Sequence, residues 1–388
     1  RVWLRRAAVA GTAATFAASA RRAPSESQSE TASSSGHPPL PPPETMGLHR
    51  HGYFSCWTAD GERVSLAPVL DAAERADIVL LGETHDDPVA HQLELYLFVA
   101  LARRRPCVLS LEMFEADVQP IVDEYVSGFI REEDFLMDAR PWANYEQDYR
   151  GLVEFAKREA LPVVAANAPR RYVGAVGRQR STVDDFDWPP SARRFLPPLP
   201  LPRPSASYLR HLLDDPAVVR MDELGISAVA AAGAGVGDGG NRGAVGDVTV
   251  VAGTAGTEGA AGTAGTALAK RGGGCPYMGV RREDGLLAPM LLWDAHMAHA
   301  IAATLAAQAA RCVVHLCGSF HCEGRLGIGE MLRHYAPAAE QLVVAIVPED
   351  DPHTFVHARH AGKADFVILT DASLPRSHDY FQPLPPPR

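Results

Sequence analysis

Two short segments of the sequence share a glycine that is followed, three residues later, by a histidine. Residues 82–85 read Gly-Glu-Thr-His, and residues 318–321 read Gly-Ser-Phe-His. Histidine binds transition metals through its imidazole nitrogens and exchanges protons near neutral pH. One such motif is a weak indication of function. Because each copy directly follows an apolar run, the pair predicts two histidines delivered to one site at the ends of two strands.

Two acidic residues accompany these histidines. Glu83 lies inside the first motif, and Glu112 directly follows the apolar run 107–111. A buried carboxylate without a partner is unfavourable, so Glu112 requires a metal, an arginine or a histidine beside it. With His85 and His321, both carboxylates form a mixed nitrogen and oxygen ligand set that suits a transition metal. A structural salt bridge for Glu112, and a plain polar loop for the first motif, remain the alternatives.

A third polar segment follows the apolar run 162–166. Residues 167–171 read Asn-Ala-Pro-Arg-Arg. Asn167 could donate a hydrogen bond to a ligand, and Arg170 could bind a carboxylate through its planar guanidinium. The alternative is a simple turn in which asparagine starts the turn and proline fixes the exit of the chain. The sequence leaves both interpretations open.

Six apolar runs alternate with helical patterns along the chain. The runs are continuous, as is typical of parallel strands covered on both faces. They comprise residues 78–81, 107–111, 162–166, 312–316, 342–347 and 366–369. Helical periodicity is found between them, in residues 89–104, 149–159 and 293–309. This alternation predicts an α/β fold with a mostly parallel sheet flanked by helices, whose functional groups gather beyond the carboxyl ends of the strands.

Composition restricts the classes of function. The 388 residues are 46% hydrophobic and 22% charged, as in an ordinary globular protein. The net charge of −10 disfavours a nucleic-acid-binding surface. No apolar run reaches the ~18 residues that a membrane-spanning helix needs. Six cysteines in a chain of this length do not indicate a disulfide scaffold.

The beginning of the sequence has the composition of a targeting segment. Residues 1–25 contain five arginines and many alanines but no acidic residue. This pattern predicts an organelle transit peptide. Arg5 and Arg6 precede the small apolar residues 7–20, which resembles a twin-arginine export signal. Together they predict a chloroplast protein, with the thylakoid lumen as a further destination. A mitochondrial or an exported protein, or a basic leader without an address, are the alternatives.

The remaining composition suggests how the chain is divided. Residues 1–45 are predicted to be a disordered targeting leader and linker, rich in Ser and Pro towards its end. Residues 46–388 are predicted to form a single α/β domain. Two segments interrupt it: a proline-rich one at residues 187–204 and a Gly/Ala-rich insertion at residues 229–274. The insertion is predicted to be a disordered surface loop.

Further motifs extend the two histidine segments into a longer pattern. They are residues 80–85 with His91 downstream, 111–114, 119–128, 142–149, 166–170, 293–298 and 318–321. In order and spacing, over most of residues 75–345, the chain resembles the ChaN-like haem-binding family within the Tiki superfamily. The resemblance implies an α/β fold and haem-linked or iron-linked binding. It also allows for a homodimer formed around haem.

The resemblance assigns roles to particular positions. His85 and His321 match the paired histidines of the family, and Glu83 and Glu112 match its strand-end carboxylates. Haem iron is held by an axial His, Tyr, Cys or Met in an apolar crevice. The sequence does not choose among the candidates for haem or ligand binding. These are His85, His321, Tyr145, Tyr149, Asn167, Arg170 and His296.

Three functional hypotheses follow. The first is a haem-binding protein in haem or iron handling. The second is a metal-dependent hydrolase of protease or esterase type, since relatives in the superfamily with paired motifs include metal-dependent proteases. Here His85, His321 and a carboxylate would hold Mn, Fe, Co or Zn, with Glu83 or Glu112 as general base. The third is a non-catalytic scaffold whose polar groups only satisfy one another.

Overall fold

An eight-stranded sheet lies at the centre of the part of the chain that the structure describes. The computed structural model describes residues 52–179, 182–214, 287–308 and 311–378. The predicted leader and the Gly/Ala-rich insertion therefore lie outside the described residues. The strands are β1 (Phe54–Thr58), β2 (Arg63–Val64), β3 (Ile78–Glu83), β4 (Cys107–Glu115), β5 (Val163–Asn167), β6 (Cys312–Gly318), β7 (Gln341–Glu349) and β8 (Phe366–Asp371).

The strand order is β2-β1-β8-β7-β3-β6-β4-β5. The six strands from β8 to β5 pair in parallel, and each contains all or most of one apolar run of the sequence. β1 runs antiparallel to both β2 and β8. The prediction of a mostly parallel sheet flanked by helices is confirmed, with a short antiparallel edge added to it.

Helices cover both faces of the sheet. The α-helices are α1 (Leu66–Arg75), α2 (Pro88–Ala102), α3 (Gln119–Val126), α4 (Glu132–Asp138), α5 (Arg150–Arg158), α6 (Arg170–Gln179), α7 (Pro190–Arg193), α8 (Ala206–Asp214), α9 (Leu287–Ala307), α10 (Ile328–Tyr335) and α11 (His357–His360). A π-helix spans Tyr145–Tyr149, and 3-10 turns span Ala116–Val118, Ser319–His321 and Glu323–Arg325. None of the helices in the described ranges is long and apolar enough to cross a membrane.

Consecutive residues of the central strands contribute to two separate cores. In β3, Val79 and Leu81 belong to the core beneath α2 and α5, whereas Ile78 and Leu80 belong to the core beneath α9. This is why the sequence of β3 is a continuous apolar run: both faces of the strand are buried. Because β3, β4, β5 and β6 run parallel to one another, their carboxyl ends lie at the same edge of the sheet.

The start of α2 is fixed by Asp87, one of the two aspartates that follow the first histidine motif. Its carboxylate accepts hydrogen bonds from the backbone N–H groups of Val89 and Ala90, at 2.9 and 3.2 Å. The second carboxylate oxygen accepts from the hydroxyl of Thr370 in β8. An aspartate at this position satisfies backbone donors that the first helical turn leaves unpaired. The cap therefore ties the loop after β3 to the neighbouring part of the sheet.

The proline-rich segment at residues 187–204 contributes to the core. It contains α7, and it buries Trp188, Leu196 and Leu201 in the core beneath α9. The indole N–H of Trp188 donates to the carbonyl of Val183 at 2.8 Å. The apolar residues between the prolines pack against the sheet.

Candidate functional site

The two histidine motifs lie side by side at the carboxyl ends of β3 and β6. These strands pair in parallel, with Glu83 opposite Gly318. A Cβ atom at Gly82 would lie 2.5 Å from Sγ of Cys322 and 3.0 Å from Cα of Ser319. A Cβ at Gly318 would lie 2.9 Å from Nε2 of His85. Each glycine thus allows its strand end to approach the other motif closely, which a larger residue would prevent.

His85 is held by the glutamate of its own motif. Its Nδ1 lies 2.9 Å from Oε1 of Glu83. Because a carboxylate only accepts, Nδ1 carries the proton, and in the neutral ring Nε2 carries the lone pair. The ring packs edge-on against Trp142, with the ring centroids 4.8 Å apart. The His85 side chain is 12% exposed, so it is the most accessible of the three histidines near Glu83 and Gly318.

Glu83 is a buried carboxylate that several groups share. Its Oε1 also accepts a hydrogen bond from the hydroxyl of Tyr149 at 2.7 Å. Its Oε2 lies 3.0 Å from Nδ1 of His91. Burial alone would raise the pKa of Glu83, but the charge of His91 and the hydrogen bond from His85 hold the pKa below its usual value. Glu83 is therefore ionised at neutral pH.

Two polar residues of α2 complete this part of the site. Nδ1 of His91 lies 3.2 Å from Oε2 of Glu94, and its Nε2 lies 3.1 Å from the carbonyl oxygen of His85. Burial alone would lower the pKa of His91, but the two glutamates raise it well above its usual value. Burial and the neighbouring charge of Glu83 raise the pKa of Glu94.

His91 and Glu94 are absent from the sequence-predicted site residues. The available sequence indication was a histidine and a glutamate inside an otherwise apolar helix, three residues apart. Such residues are seldom buried without partners.

His321 is held by a helix on the other side of the sheet. Its Nδ1 donates to Oδ1 of Asp294 in α9 at 2.6 Å. The other oxygen of Asp294 accepts from the hydroxyl of Tyr208 in α8, also at 2.6 Å. Burial alone would lower the pKa of His321, but the carboxylates of Asp294 and Glu112 raise it. Neither Asp294 nor Tyr208 was among the predicted site residues, although an aspartate in the apolar α9 was an indication.

Gly327 makes the approach of Asp294 to His321 feasible. Its φ of +53° lies in the left-handed region. A Cβ there would lie 2.5 Å from the carbonyl oxygen of His321 and 3.1 Å from both Asp294 oxygens. Both the conformation and the space favour glycine at this position.

Glu112 lies inside β4, which continues to Glu115 beyond the predicted run, and it connects this strand to the second motif. Its Oε2 accepts a hydrogen bond from the backbone N–H of Gly318 at 2.8 Å, and its Oε1 lies 3.8 Å from Nε2 of His321. Of the partners that the sequence allows for this carboxylate, the structure places a histidine beside it and adds a backbone donor. Nε2 of His321 thus faces a second carboxylate, and Nε2 of His85 lies over the same glycine, Gly318.

The other predicted residues lie around the ends of β4 and β5. Nδ1 of the buried His296 donates to the carbonyl of Ala166 at 2.8 Å, and burial lowers its pKa to about 4. The guanidinium of Arg170 pairs with Glu115. Asn167 is opposite Glu115 in the ladder between β4 and β5. These residues therefore stabilise strand ends next to the two histidine motifs.

The two predicted tyrosines differ in their surroundings. Tyr149 donates to Glu83, and its ring packs edge-on against His91 with centroids 5.0 Å apart. Tyr145 packs against Phe114 and Phe135, with centroids 5.9 and 5.7 Å away. The structure joins Tyr149 directly to the first histidine motif, whereas Tyr145 belongs to an aromatic cluster beside it.

The sequence matches the family described as haem-binding uptake, Tiki superfamily, ChaN, over residues 69–232 and 258–332. Among solved structures, the chain is similar to that described as cofacial heme binding to ChaN of Campylobacter jejuni. The identity is 14% and the TM-score 0.52, over 82% of this chain and 97% of that one. The type III effector HopBA1 matches with 9% identity and a TM-score of 0.38, over 78% and 91% of the two chains. No curated protein sequence matches. Because the family match covers more than half of the chain, the protein belongs to the ChaN haem-binding uptake family of the Tiki superfamily.

Proposed function

We propose that this protein binds haem and acts in haem or iron handling, and that the haem site lies at the ends of β3 and β6. The observation that carries the proposal is the membership of the chain in a family described by haem-binding uptake. The similar ChaN of Campylobacter jejuni is described as binding heme cofacially. The paired histidines of this chain supply imidazole nitrogens, which are common axial ligands of haem iron.

His85 is the proposed axial ligand on the accessible side of the site. Its side chain is 12% exposed, against 4% for His91 and 2% for His321. The hydrogen bond from its Nδ1 to Glu83 fixes the tautomer and makes Nε2 a stronger ligand for iron, as carboxylates commonly do for metal-binding histidines. Bound haem would supply an iron centre whose redox potential depends on this ligand.

Nearby arginines fit the carboxylates of a haem. Arg140, Arg170 and Arg171 have side chains that are 44–47% exposed. They pair with Glu115 and Asp117, so three guanidinium groups face two carboxylates. The surplus positive charge suits an anionic group, and guanidinium groups bind carboxylates in two-pronged fashion. Arg140 stands two residues before Trp142, whose ring contacts His85.

A haem titration of the full chain tests the proposal. We expect a Soret band that saturates at one haem per chain with micromolar haem. The double variant His85→Ala, His321→Ala should lose the band. His334→Ala, which removes an exposed histidine of α10, should retain it. Failure of the intact protein to change the haem spectrum at micromolar concentration would eliminate the proposal.

The alternative function is metal-dependent hydrolysis by the same residues. The observation that favours it is the position of Nε2 of His321, 3.8 Å from a carboxylate oxygen of Glu112. A histidine next to a carboxylate can assist the attack of water. Elemental analysis and an esterase and peptidase screen test this alternative. Protein that is inert with Mn²⁺, Fe²⁺, Co²⁺ and Zn²⁺ would eliminate it. The scaffold hypothesis predicts that His85→Ala lowers stability and changes neither haem binding nor hydrolytic activity.

The chloroplast location and the homodimer remain predictions. The address rests on the composition of residues 1–25. A fluorescent fusion of this segment, with Arg5 and Arg6 replaced by lysine in the control, tests the import and the twin-arginine component separately. Sedimentation of the full chain with and without haem tests whether haem induces a dimer.

A further inference from the structure

Glu83, His91 and Glu94 form a cluster that we call the buried trio. Each offers one ligand atom, and the three atoms lie within 4.8 Å of one another. The residues are 2%, 4% and 0% exposed. The trio lies on the α2 side of Glu83 and shares this glutamate with His85. Haem binding by His85 and His321 does not require His91 and Glu94 to lie beside Glu83.

The position of one proton on His91 follows from its hydrogen bonds. Nε2 lies 3.1 Å from the carbonyl oxygen of His85, and a carbonyl can only accept. Nε2 therefore carries a proton. A proton on Nδ1 points at Oε2 of Glu83, 3.0 Å away, and at Oε2 of Glu94, 3.2 Å away. A metal ion can take the place of this proton, because Nδ1 without it directs a lone pair into the space between the two carboxylates.

Two carboxylate oxygens of the trio provide a second observation. Oε1 of Glu94 is buried and accepts no hydrogen bond from any residue in the described ranges. Oε2 of Glu83 lies 3.0 Å from Nδ1 of His91, and no other group of the described residues donates a hydrogen bond to it. Buried carboxylate oxygens normally have donors or a cation as partners. Oε1 of Glu83, in contrast, is held by Tyr149 and His85.

These contacts orient the trio as a ligand set. Tyr149 and His85 occupy one oxygen of Glu83, so the other oxygen is presented to His91 and Glu94. The Nε2 proton of His91 faces a backbone carbonyl, with an oxygen of Asp148 at 3.4 Å. Metal-binding histidines characteristically donate their other N–H to a carbonyl or carboxylate, which fixes the ring. The trio therefore has both the inner ligands and the outer partners of a metal site.

We propose that the buried trio binds one divalent transition-metal ion through Nδ1 of His91 and one carboxylate oxygen each from Glu83 and Glu94. Two carboxylates balance the charge of the ion, and a set of one imidazole and two carboxylates suits Mn²⁺, Fe²⁺ or Zn²⁺. The ion replaces any proton on Nδ1 of His91 or on Glu94, and each displaced proton is released to solvent. Glu83 connects this ion to His85, since its two oxygens face the two sites.

Equilibrium dialysis of the full chain, freed of metal with a chelator, tests the site with Mn²⁺ and Zn²⁺ as separate probes. Dialysis must be prolonged because the ligands are buried. We expect one high-affinity ion per chain. The near-isosteric Glu94→Gln variant should bind the ion about 100-fold more weakly or worse, since even loss of an outer partner costs up to this factor. Glu330→Gln is the matched control, because Glu330 is a buried helical carboxylate whose oxygens accept from Ser205 at 2.6 Å.

A second variant separates ligation from folding. Asp148→Asn changes an outer partner of His91 and none of the three ligands, and it should weaken binding about tenfold. If circular dichroism shows that Glu94→Gln has lost structure, the metal affinity of Asp148→Asn decides the test instead. Absence of a bound ion in the native chain, or equal affinity in native, Glu94→Gln and Asp148→Asn proteins, would overturn the proposal. The haem titration of the same variants reports separately, because the dialysis contains no haem.

Discussion

The two Gly-x-x-His motifs have the same local role but are supported by different parts of the molecule. His85 bonds to Glu83, which is two residues before it in the same motif, at the end of β3. His321 bonds to Asp294, which belongs to α9 and is itself bonded to Tyr208 of α8. His85 is the more exposed of the two histidines, at 12% against 2%. His85 thus pairs with a carboxylate of its own motif, whereas His321 pairs with a carboxylate from a packed helix.

This difference suggests a division of tasks. A histidine that is accessible and supported locally can meet a ligand without rearranging the core. A histidine that is buried against a carboxylate from another element contributes to both the site and the stability of the fold. Changes at the second motif should therefore affect the free energy of unfolding more strongly, and changes at the first should affect ligand binding more strongly. The following predictions test this comparison, from the largest effect to the smallest.

Removal of Asp294 should have the largest effect on stability. Asp294→Ala leaves His321 and Tyr208 without their shared acceptor in a buried site, at a cost of about 3–5 kcal/mol. Urea denaturation followed by circular dichroism measures this loss. Asp71→Ala is a suitable control, because its side chain is 60% exposed and pairs with Arg104 at the surface. A loss below about 1 kcal/mol, as for surface pairs, would show that the second motif is not supported in this way.

Alanine at the two motif glycines should separate packing from ligand binding. At Gly82 the new Cβ meets the backbone of Ser319, which cannot yield easily, so we expect a loss of about 1–3 kcal/mol. At Gly318 it meets the ring of His85, which can move. This variant should lose haem affinity with a smaller loss of stability.

Gly174→Ala in α6 is the control for both glycine variants, because its Cβ meets only the flexible end of Arg178. Parallel denaturation and haem titration of the three proteins make the measurement. Equal stability and equal haem affinity for the Gly82 and Gly318 variants would contradict the comparison.

The two tyrosines that donate to the supporting carboxylates allow a finer test. Tyr208→Phe removes a hydrogen bond to Asp294 and should cost about 2 kcal/mol, as for a bond to a charged group. Tyr149→Phe removes a donor to Glu83, but His85 still donates to the same oxygen. Its cost should be nearer to about 1 kcal/mol. The midpoints of chemical denaturation measure both losses of stability. A larger loss for Tyr149→Phe than for Tyr208→Phe would contradict the proposed difference between the two motifs.

The pH dependence of stability should carry the signature of His321. The carboxylates raise the pKa of His321 above the value of about 6.5 in the unfolded chain. Its contribution is therefore complete below that pH and is lost as the pH rises through the pKa of the folded state. Denaturation midpoints of the native protein should fall relative to His321→Gln across this window. The control is His296→Gln, because the pKa of His296 is lowered to about 4 and its effect appears on acidification instead.

The sheet was largely predictable because its central strands are buried on both faces. The run at residues 78–81 is apolar without interruption, and it lies within β3 as predicted. β1 and β2 were not predicted, since β1 mixes Phe54 and Trp57 with polar residues and β2 has only two residues. Their pairing depends on β8, which supplies the partner edge. The packing of Trp188 could not be predicted either, because prolines hide the periodicity of the surrounding segment.

For the site, the sequence by itself determined the residues that stand at strand ends. Glu83, His85 and His321 come shortly after apolar runs, and a parallel sheet must bring such ends to one edge. Glu112 follows its apolar run directly, although β4 extends past it to Glu115. Only the tertiary structure decided which groups support them. Asp294, Tyr208, His91 and Glu94 come from helices, and their partners depend on how each helix is packed over the sheet. Helical periodicity predicts which face of a helix is buried, but not which buried polar atom meets another.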